Sequence, residues 1–354
     1  MTAKVNDSAL RLRRVIPRMR GKRVGVLGDL MLDRYLWGTA SRLSEEAPVP
    51  VVKFVEQSER LGGAGNVAAN IAALGARVQA FGVVGTDEAG RALQVCLRSA
   101  RIIQDGVVAD AKRLTTVKTR IIAKNHQVVR VDRERSEPLR SDTEEKVLRA
   151  LFAALKQMDA LVLSDYDKGL ITTDAFAERV LSACDHLKVP VFVRPKTSRL
   201  YAYRGARAIV CNAKEAGFFV TRSLLDEKSF EEAGRALLAH FGCGAVVITR
   251  GVKGMSVIEE STPGQLHIPA TSSEVTYARV GQAGVERGAT GRQVFDVTGA
   301  GDTVLSVVAL AVAAGAELRD AAVIANAAAG VVVGKLGTAS VTAEELGAAL
   351  TESR

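Results

Sequence analysis

Cysteine, histidine and long apolar runs are all scarce in this sequence. Its four scattered cysteines, without C-x-x-C spacing, argue against a zinc site or a disulfide framework and fit a reducing cytoplasm. Four isolated histidines give no metal-ligand cluster. No apolar run reaches the ~18–20 residues of a membrane span, and the basic segment Met1–Lys22 lacks the apolar core of a secretory signal. We therefore expect a cytoplasmic protein that does not contact a membrane.

Aromatic residues make up only 5% of the chain, although its formal net charge is +9. Lysine and arginine are spread along the whole sequence, without the basic, aromatic-interleaved tract of a strand-binding surface. Nucleic acid is therefore not an expected partner, and anionic small substrates explain the charge at least as well. With 47% apolar and 25% charged residues over 354 positions, the chain has an ordinary globular composition and can bury a large core.

Two familiar phosphate-binding motifs are also missing. Gly334-Lys335 is followed by Leu336, so no P-loop is present and a P-loop kinase is not expected. The Gly62-x-x-Gly65 spacing departs from the dinucleotide fingerprint, and no acid follows at the required distance. A Rossmann dehydrogenase is therefore not expected either.

A turn of small residues stands instead before the apolar run Val304–Ala314. Gly299, Ala300, Gly301 and Asp302 precede this run, which has helical length. Their amides would lie at a helix N-terminus, where unpaired N–H groups and the positive dipole end bind phosphate. A carboxylate beside such a site suits a base that takes a proton from an attacking hydroxyl. The alternative is a plain helix cap, with Asp302 as a partner of the dipole.

Short apolar segments alternate with amphipathic helical segments along most of the chain. Strands are expected at 23–28, 77–84, 159–164, 190–193, 208–211 and 245–249, and helices at 61–74, 88–99, 144–158 and 173–187. This alternation predicts an α/β, doubly wound, mainly parallel sheet with helices on both faces. Two stretches, 34–60 and 115–132, look like β ribbons, and the second has a hairpin turn at Lys124-Asn125-His126. They predict a small accessory sheet.

The turn Thr298–Asp302 and a second motif, Gly62–Ala68 (GGAGNVA), resemble the two signatures of the ribokinase (PfkB) superfamily of sugar kinases in order and distance. The resemblance implies a ribokinase-like fold with a β lid that often supports dimerisation. It implies ATP and Mg²⁺, and allows a monovalent cation. Asp302 would be the catalytic base, with the amides of Gly299, Ala300 and Gly301 around the transferred phosphoryl group. A basic segment at 1–21, either a tail or an irregular first helix, and a kinase domain at 22–354 are expected.

Nucleotide-binding residues are expected at the ends of two strands. Asn212 and Glu215 follow the strand 208–211, at the edge of a parallel sheet where ligands bind. They match the family's N-x-x-E motif, which implies that Glu215 binds Mg²⁺ through water and that the pair organises the ATP phosphates. A capping box is the structural alternative. Further cofactor-binding candidates are Lys196, Lys214, Thr249, Gly251 and Gly254, the last two of which also suit a plain hairpin turn.

Sugar-binding residues are expected from the N-terminal third of the chain. Asp29, Asp33, Gly62, Gly63 and Asn66 match positions that hold sugar hydroxyls in ribokinase-like enzymes. Carboxylates and amides pair with vicinal diols, and glycine allows close backbone approach. The alternative for Asp33 is a solvated residue.

Further motifs resemble the branch of the family that phosphorylates D-glycero-D-manno-heptose 7-phosphate. These motifs lie at Gly28–Tyr35, Ser44–Val52, Arg60–Ala68, Val129–Asp132, Ser164–Gly169 and Val333–Thr338. The resemblance implies transfer to the anomeric hydroxyl, which gives a 1,7-bisphosphate on the route to ADP-heptose and lipopolysaccharide. In many bacteria this kinase is the N-terminal half of a bifunctional protein. Because the chain has no nucleotidyltransferase H-x-G-H motif, we expect a free-standing kinase.

A phosphorylated sugar requires cations that hold its phosphate. Lys118, Arg120 and Arg130 on the predicted hairpin, together with Lys168 after a core strand, are the candidates, although each alone is also a common kind of surface charge.

Two features depart from the heptose kinases. Arg194 stands where that branch usually has an acid. An insertion at Ala270–Gly291 precedes the catalytic turn and predicts a surface loop, either a lid near the nucleotide or an inert decoration. These departures keep open a ribose- or fructose-type kinase, or a catalytically weak sugar-phosphate sensor.

Overall fold

A computed structural model describes residues 10–123, 126–171, 173–196, 203–271, 299–335 and 337–352. Its helices are α1 (Val15–Met19), α2 (Ala64–Ala73), α3 (Glu88–Ser99), α4 (Ser141–Leu155), α5 (Asp174–His186), α6 (Ala213–Phe219), α7 (Glu227–Phe241), α8 (Ala300–Ala313), α9 (Leu318–Val332) and α10 (Ala343–Glu352). Its strands are β1 (Arg23–Gly28), β2 (Leu30–Leu43), β3 (Pro50–Gly63), β4 (Arg77–Gly85), β5 (Ile103–Asp110), β6 (Thr116–Ala123), β7 (His126–Arg133), β8 (Ala160–Ser164), β9 (Val191–Arg194), β10 (Ala208–Asn212), β11 (Ala245–Thr249), β12 (Met255–Glu259) and β13 (Leu266–Ile268).

The main sheet has nine strands in the order β13-β12-β11-β10-β9-β8-β1-β4-β5. Seven neighbouring strands of this sheet are parallel: β11, β10, β9, β8, β1, β4 and β5. Strands β12 and β13 continue the sheet beyond β11 in antiparallel fashion. Every residue of β8 is buried, as expected for a strand covered on both faces. Apolar clusters fill both sides of the sheet, one around α2, α8 and α9 and the other around α4, α5 and α7. The predicted α/β class is confirmed.

The predicted accessory sheet is the four-stranded lid, with strand order β3-β2-β6-β7. Strands β2 and β3 form one long hairpin, β6 and β7 form another, and β2 and β6 pair in parallel. The second hairpin closes with Ala123 opposite His126, and Lys124 and Asn125 lie outside the described residues. The lid strand β2 begins at Leu30, earlier than the expected residue 34, so it continues almost directly from core strand β1.

Several expectations differ from the structure. The segment 1–21, expected as a basic tail or an irregular first helix, contains helix α1, because Leu12, Val15, Ile16 and Met19 repeat at helical spacing and are buried in the core. Strand β5 was not expected, since Asp105 and Gly106 weaken its strand pattern and it lies at a half-exposed edge. Most of the predicted insertion, 272–291, lies outside the described residues.

Within the described part, no helix is long and apolar enough to cross a membrane.

Candidate active site

The turn at residues 299–302 lies at the start of helix α8, as the sequence predicts. Gly299 is the N-cap residue with φ 84°, a left-handed conformation that favours glycine. A Cβ at Gly299 would also lie 2.8 Å from the Asn66 side-chain amide. Within the described residues, no side chain caps this helix end. Its first amides are therefore available to an anion.

Asp302 lies in the first turn of α8 and is only 4% exposed. Its Oδ2 accepts a hydrogen bond from Asn66 Nδ2 at 2.9 Å, and its Oδ1 accepts one from Arg194 Nη1 at 2.8 Å. The Tyr166 hydroxyl also donates to Oδ1. Burial, and next the nearby Asp302, raise the pKa of Tyr166 well above its usual value. Tyr166 therefore stays a protonated donor at neutral pH.

Asn212 and Glu215, the pair predicted to bind the nucleotide, form a capping box at the start of α6. Asn212 Oδ1 accepts the Glu215 N–H at 2.8 Å, and Glu215 Oε2 accepts the Asn212 N–H at 2.8 Å. The structural alternative is thus present, and it leaves Oε1 directed at cations. Oε1 lies 3.7 Å from Arg194 Nη2 and 3.8 Å from Lys196 Nζ. Arg194 consequently links the Glu215 carboxylate to the carboxylate of Asp302.

The remaining nucleotide-side candidates surround this pair. Thr249 ends β11 directly beside Asn212 in the sheet register, and Lys214 is exposed on the first turn of α6. Gly251 begins a 3-10 turn into β12 with φ 59°, so the segment is a hairpin connection. A Cβ at Gly254 would lie 2.0 Å from the Ile268 carbonyl oxygen. The fold alone therefore requires glycine at 254.

Among the described residues, the hydrogen bonds to Asp29 come from backbone N–H groups. Its carboxylate accepts hydrogen bonds from the N–H groups of Tyr166, Lys168 and Leu170 at 2.9, 3.1 and 3.2 Å. Burial, and next the charge of Asp165, raise the pKa of Asp29 to about 6. The predicted sugar ligand Asp29 thus fixes the loop that carries Tyr166.

Asp33 belongs to a row of charges across one face of the lid. In the strand register, Arg60, Asp33, Lys118 and Asp132 lie side by side on four neighbouring strands. Arg120 Nη1 donates to Asp33 Oδ1 at 2.7 Å. Asp33 is 3% exposed, so it is not the solvated residue of the alternative interpretation. Burial raises its pKa, although the charge of Arg120 opposes this.

Two glycines at the end of β3 allow the close approach of the strands here. A Cβ at Gly62 would lie 2.9 Å from Asp33 Oδ2. Gly63 has φ 55°, and a Cβ there would lie 2.6 Å from the Asp29 carbonyl oxygen. The fold itself therefore requires glycine at 63, whereas a side chain at 62 would displace the buried Asp33 carboxylate.

The structure brings two of the four predicted phosphate-binding cations together. Lys118 Nζ lies 3.4 Å and Lys168 Nζ 2.9 Å from the Glu134 carboxylate, and Lys118 Nζ also lies 3.1 Å from Asp132. Arg130 pairs with Asp132 but is half exposed. Arg120, in contrast, points inward to Asp33. The lysines are thus the better placed pair.

The lid also closes onto the core through residues that sequence reasoning missed. Arg60 Nη1 donates to the Thr338 carbonyl oxygen at 3.0 Å, and the Thr338 N–H donates to the Tyr35 hydroxyl at 3.2 Å. Tyr166, also missed, directly follows Asp165 at the carboxyl end of β8. Its place after a parallel strand was the available signal.

These elements define a phosphotransferase site of the sugar kinase type. A helix N-terminus for an anion, a buried carboxylate and a polar lid face meet at the carboxyl edge of a parallel sheet. A profile described as pfkB family carbohydrate kinase matches residues 22–345. The chain therefore belongs to the PfkB family and is a carbohydrate kinase.

Curated relatives named bifunctional protein HldE are similar over most of this chain. The protein from Geobacter metallireducens is 43% identical over 321 residues, which cover 91% of this chain and 61% of the relative. The protein from Caulobacter vibrioides is 42% identical over 335 residues, which cover 94% and 64%. This chain thus spans less than two thirds of the length of these relatives.

Solved structures support the fold. Phosphofructokinase-2 from Escherichia coli, in complex with potassium, superposes with a TM-score of 0.70 at 17% identity and covers 95% of this chain and all of its own (100%). Ribokinase from Arabidopsis thaliana, complexed with ribose and ATP, has a TM-score of 0.68 at 17% identity and covers 94% and 99%. At this identity the similarity shows the ribokinase-like fold.

Proposed function

We propose that this kinase transfers the γ-phosphoryl group of ATP to the anomeric O1 hydroxyl of D-glycero-D-manno-heptose 7-phosphate. The product would be the 1,7-bisphosphate on the route to ADP-heptose and lipopolysaccharide. The relatives named bifunctional protein HldE support this branch, because heptose kinases of this kind often form one half of a two-function chain. Their similarity covers only part of their own length, in accord with a kinase half.

The meeting of Lys118 and Lys168 at Glu134 is the observation that carries the substrate assignment. Lys118 lies level with Asp33 in the lid register, so a sugar held at Asp33 would extend toward two ammonium groups. A substrate phosphate can replace the Glu134 carboxylate as their partner, since both are anions that accept charge-assisted hydrogen bonds. An unphosphorylated sugar has only neutral hydroxyl oxygens as acceptors for the two ammonium groups, and these form weaker hydrogen bonds than a charged phosphate does.

Catalysis in this proposal is positioning and electrostatics. Asp302 accepts the proton of the attacking hydroxyl, and the amides of residues 299–301 stabilise charge on the transferred group. Asn66 orients the base through its bond to Oδ2. Because Asp302 is buried, the reaction takes place away from bulk water, where these interactions are stronger.

Magnesium fits a water-mediated place at Glu215. Oε2 of Glu215 caps α6, and Oε1 lies near Arg194 and Lys196. Because both oxygens already have partners, Glu215 is better suited to bind waters of the magnesium ion than to bind the ion directly. Bound with ATP, the ion would neutralise phosphate charge. The monovalent cation that the family resemblance allows stays a prediction.

A sugar panel tests the substrate. We expect ADP formation with heptose 7-phosphate to exceed that with unphosphorylated heptose, fructose or ribose by orders of magnitude. Lys118→Met or Lys168→Met should raise KM for the phosphorylated sugar by about 10- to 150-fold, the equivalent of a lost hydrogen bond to a charged group. The KM for ATP should stay unchanged. Arg130→Met is the matched variant, and a larger effect there would contradict the lysine assignment.

The protein should act as a cytoplasmic homodimer that associates through the lid. Leu43, Phe54 and Val55, all on the β2–β3 hairpin of the lid, are 65%, 60% and 63% exposed, and exposed apolar side chains on one element suit a contact surface. Phe54→Glu should give monomers by light scattering. Leu225→Glu, at an 80% exposed site in the turn before α7, is the control.

The four cysteines of the protein are free thiols, as suits the cytoplasm.

A further inference from the structure

Arg194 lies at the centre of the site, although it is not among the residues that the family resemblance assigns. It ends β9, and its side chain is only 16% exposed. Its guanidinium contacts Asp302 at 2.8 Å and Glu215 at 3.7 Å, and Cζ lies 6.0 Å from the centre of the Tyr166 ring. A buried cation is thus held between the proposed base and the proposed metal-binding acid.

The guanidinium also lies over the start of α8. A Cβ at Gly301 would be 2.5 Å from Arg194 Nη1. The first amides of α8 and the guanidinium therefore present positive charge to the same small volume. Such an arrangement is complementary to a phosphoryl group, whose equatorial oxygens carry charge that a planar guanidinium can pair in bidentate fashion.

The contact with Asp302 conflicts with the role of a base. Oδ1 accepts from both Arg194 and Tyr166, and Oδ2 accepts from Asn66. A carboxylate oxygen with two donors is a poor proton acceptor. If Arg194 exchanges Asp302 for a phosphoryl oxygen, Oδ1 loses one donor and becomes available to the sugar hydroxyl.

We propose that Arg194 is a catalytic residue that binds the γ-phosphoryl group in the transition state, and that its transfer from Asp302 to the phosphoryl oxygens frees the base. The inference rests on the proposed kinase function. As the sugar oxygen bonds to the γ-phosphorus, the bond from that phosphorus to the β–γ bridging oxygen breaks. The bond's electron pair leaves with ADP, and the hydroxyl proton passes to Asp302. Arg194 stabilises the charge on the equatorial oxygens during this exchange.

Arg194→Met and Arg194→Lys test the proposal by kinetics and by binding. We expect kcat to fall ~10²–10⁴-fold in Arg194→Met, somewhat less than the loss of a dedicated arginine finger, with KM for ATP changed only a few-fold. Arg194→Lys should recover part of kcat, since it keeps the charge but not the fork. Guanidinium ion should raise the activity of Arg194→Ala. Arg179→Met, a surface arginine paired with Glu145, controls for the loss of a charge.

A binding measurement separates catalysis from structure. By calorimetry, Arg194→Met should lose affinity for ADP–aluminium fluoride with bound sugar phosphate by about the same factor as kcat, but keep its affinity for ADP. Unchanged or increased kcat, with unchanged affinity for the fluoride complex, would show that Arg194 only balances charge. Failure of the wild type to phosphorylate heptose 7-phosphate would contradict the proposed substrate instead. In that case ADP–aluminium fluoride without sugar still decides whether Arg194 binds the phosphoryl position.

Discussion

Replacing Asp302 by asparagine removes the proposed base while its size is kept. The amide oxygen can still accept from Arg194 and Tyr166 at the position of Oδ1. The new amide nitrogen takes the place of Oδ2 and is a donor. It would face another donor, Asn66 Nδ2, which lies 2.9 Å from Oδ2 in the wild type. Asn66 must then turn its amide, although its Oδ1 already accepts from Asn70 at 3.2 Å. We expect a stability cost of about 1–3 kcal/mol for this mismatch.

Asp302→Asn should cost more transition-state stabilisation than free energy of unfolding. Loss of a general base typically costs ~10²–10⁴-fold in kcat, or about 3–5 kcal/mol of transition-state stabilisation. KM for ATP should change little, because the proposed nucleotide contacts lie at Asn212 and Thr249. A coupled ADP assay gives kcat and KM, and urea unfolding gives the free energy of unfolding.

Ser306→Ala is the matched control for Asp302→Asn. Ser306 Oγ donates to the Asp302 carbonyl oxygen at 2.7 Å from the next turn of α8, so this variant disturbs the same helix without touching the carboxylate. Its kcat should stay close to that of the wild type. If Asp302→Asn retains more than a tenth of wild-type turnover, Asp302 is only a helix-capping acid and the assignment of the base is wrong.

Three further outcomes follow from the geometry. Burial raises the pKa of Asp29 from 3.8 to about 6, so the folded state binds the carboxyl proton more tightly than the unfolded state does. About 3 kcal/mol of stability should therefore be present below about pH 4 and be lost as the pH rises through about 6. The difference in unfolding free energy between the wild type and Asp29→Asn, measured in urea, should show this slope, because groups such as Asp33 titrate in both proteins; parallel curves would refute it. Gly301→Ala should displace the Arg194 guanidinium, 2.5 Å from the new Cβ. It should lower kcat and also the melting temperature, because Asp302 loses its buried cation; wild-type kcat would contradict this. Gly28→Ala should destabilise the fold by about 1–3 kcal/mol or more, since its Cβ would lie 2.2 Å from the Ser164 carbonyl oxygen; calorimetric melting checks this.

Features that depend only on residues close together in the chain could be predicted from the sequence. The turn 299–302, the capping pair Asn212 and Glu215, and the alternation of strands and helices each depend on neighbours a few positions apart. The lid hairpin at 115–132 was predictable for the same reason. The structure has all of these close to their expected bounds.

Features that depend on distant partners could not be predicted in the same way. Tyr166 and Asp302 are 136 positions apart, and Arg120 and Asp33 are 87 apart. Their contact requires knowledge of which strands are neighbours. The role of Asp29 depends on the path of the loop after β8, which no local pattern encodes. The sequence therefore predicts which charged residues could belong to the site, but not which of them are partners; their roles stay predictions.

The buried helix α1 has a practical consequence for the production of this protein. It packs against α8 and α10, so it supports the helix that carries Asp302. Full burial of Leu12, Val15, Ile16 and Met19 stabilises the fold by about 1.5–3 kcal/mol each, and by about 6–12 kcal/mol together as an upper value. That is comparable to the whole stability of a typical domain. A recombinant chain trimmed to the family match at residue 22 would therefore lose part of its core, because that match begins after the first buried residues of the fold.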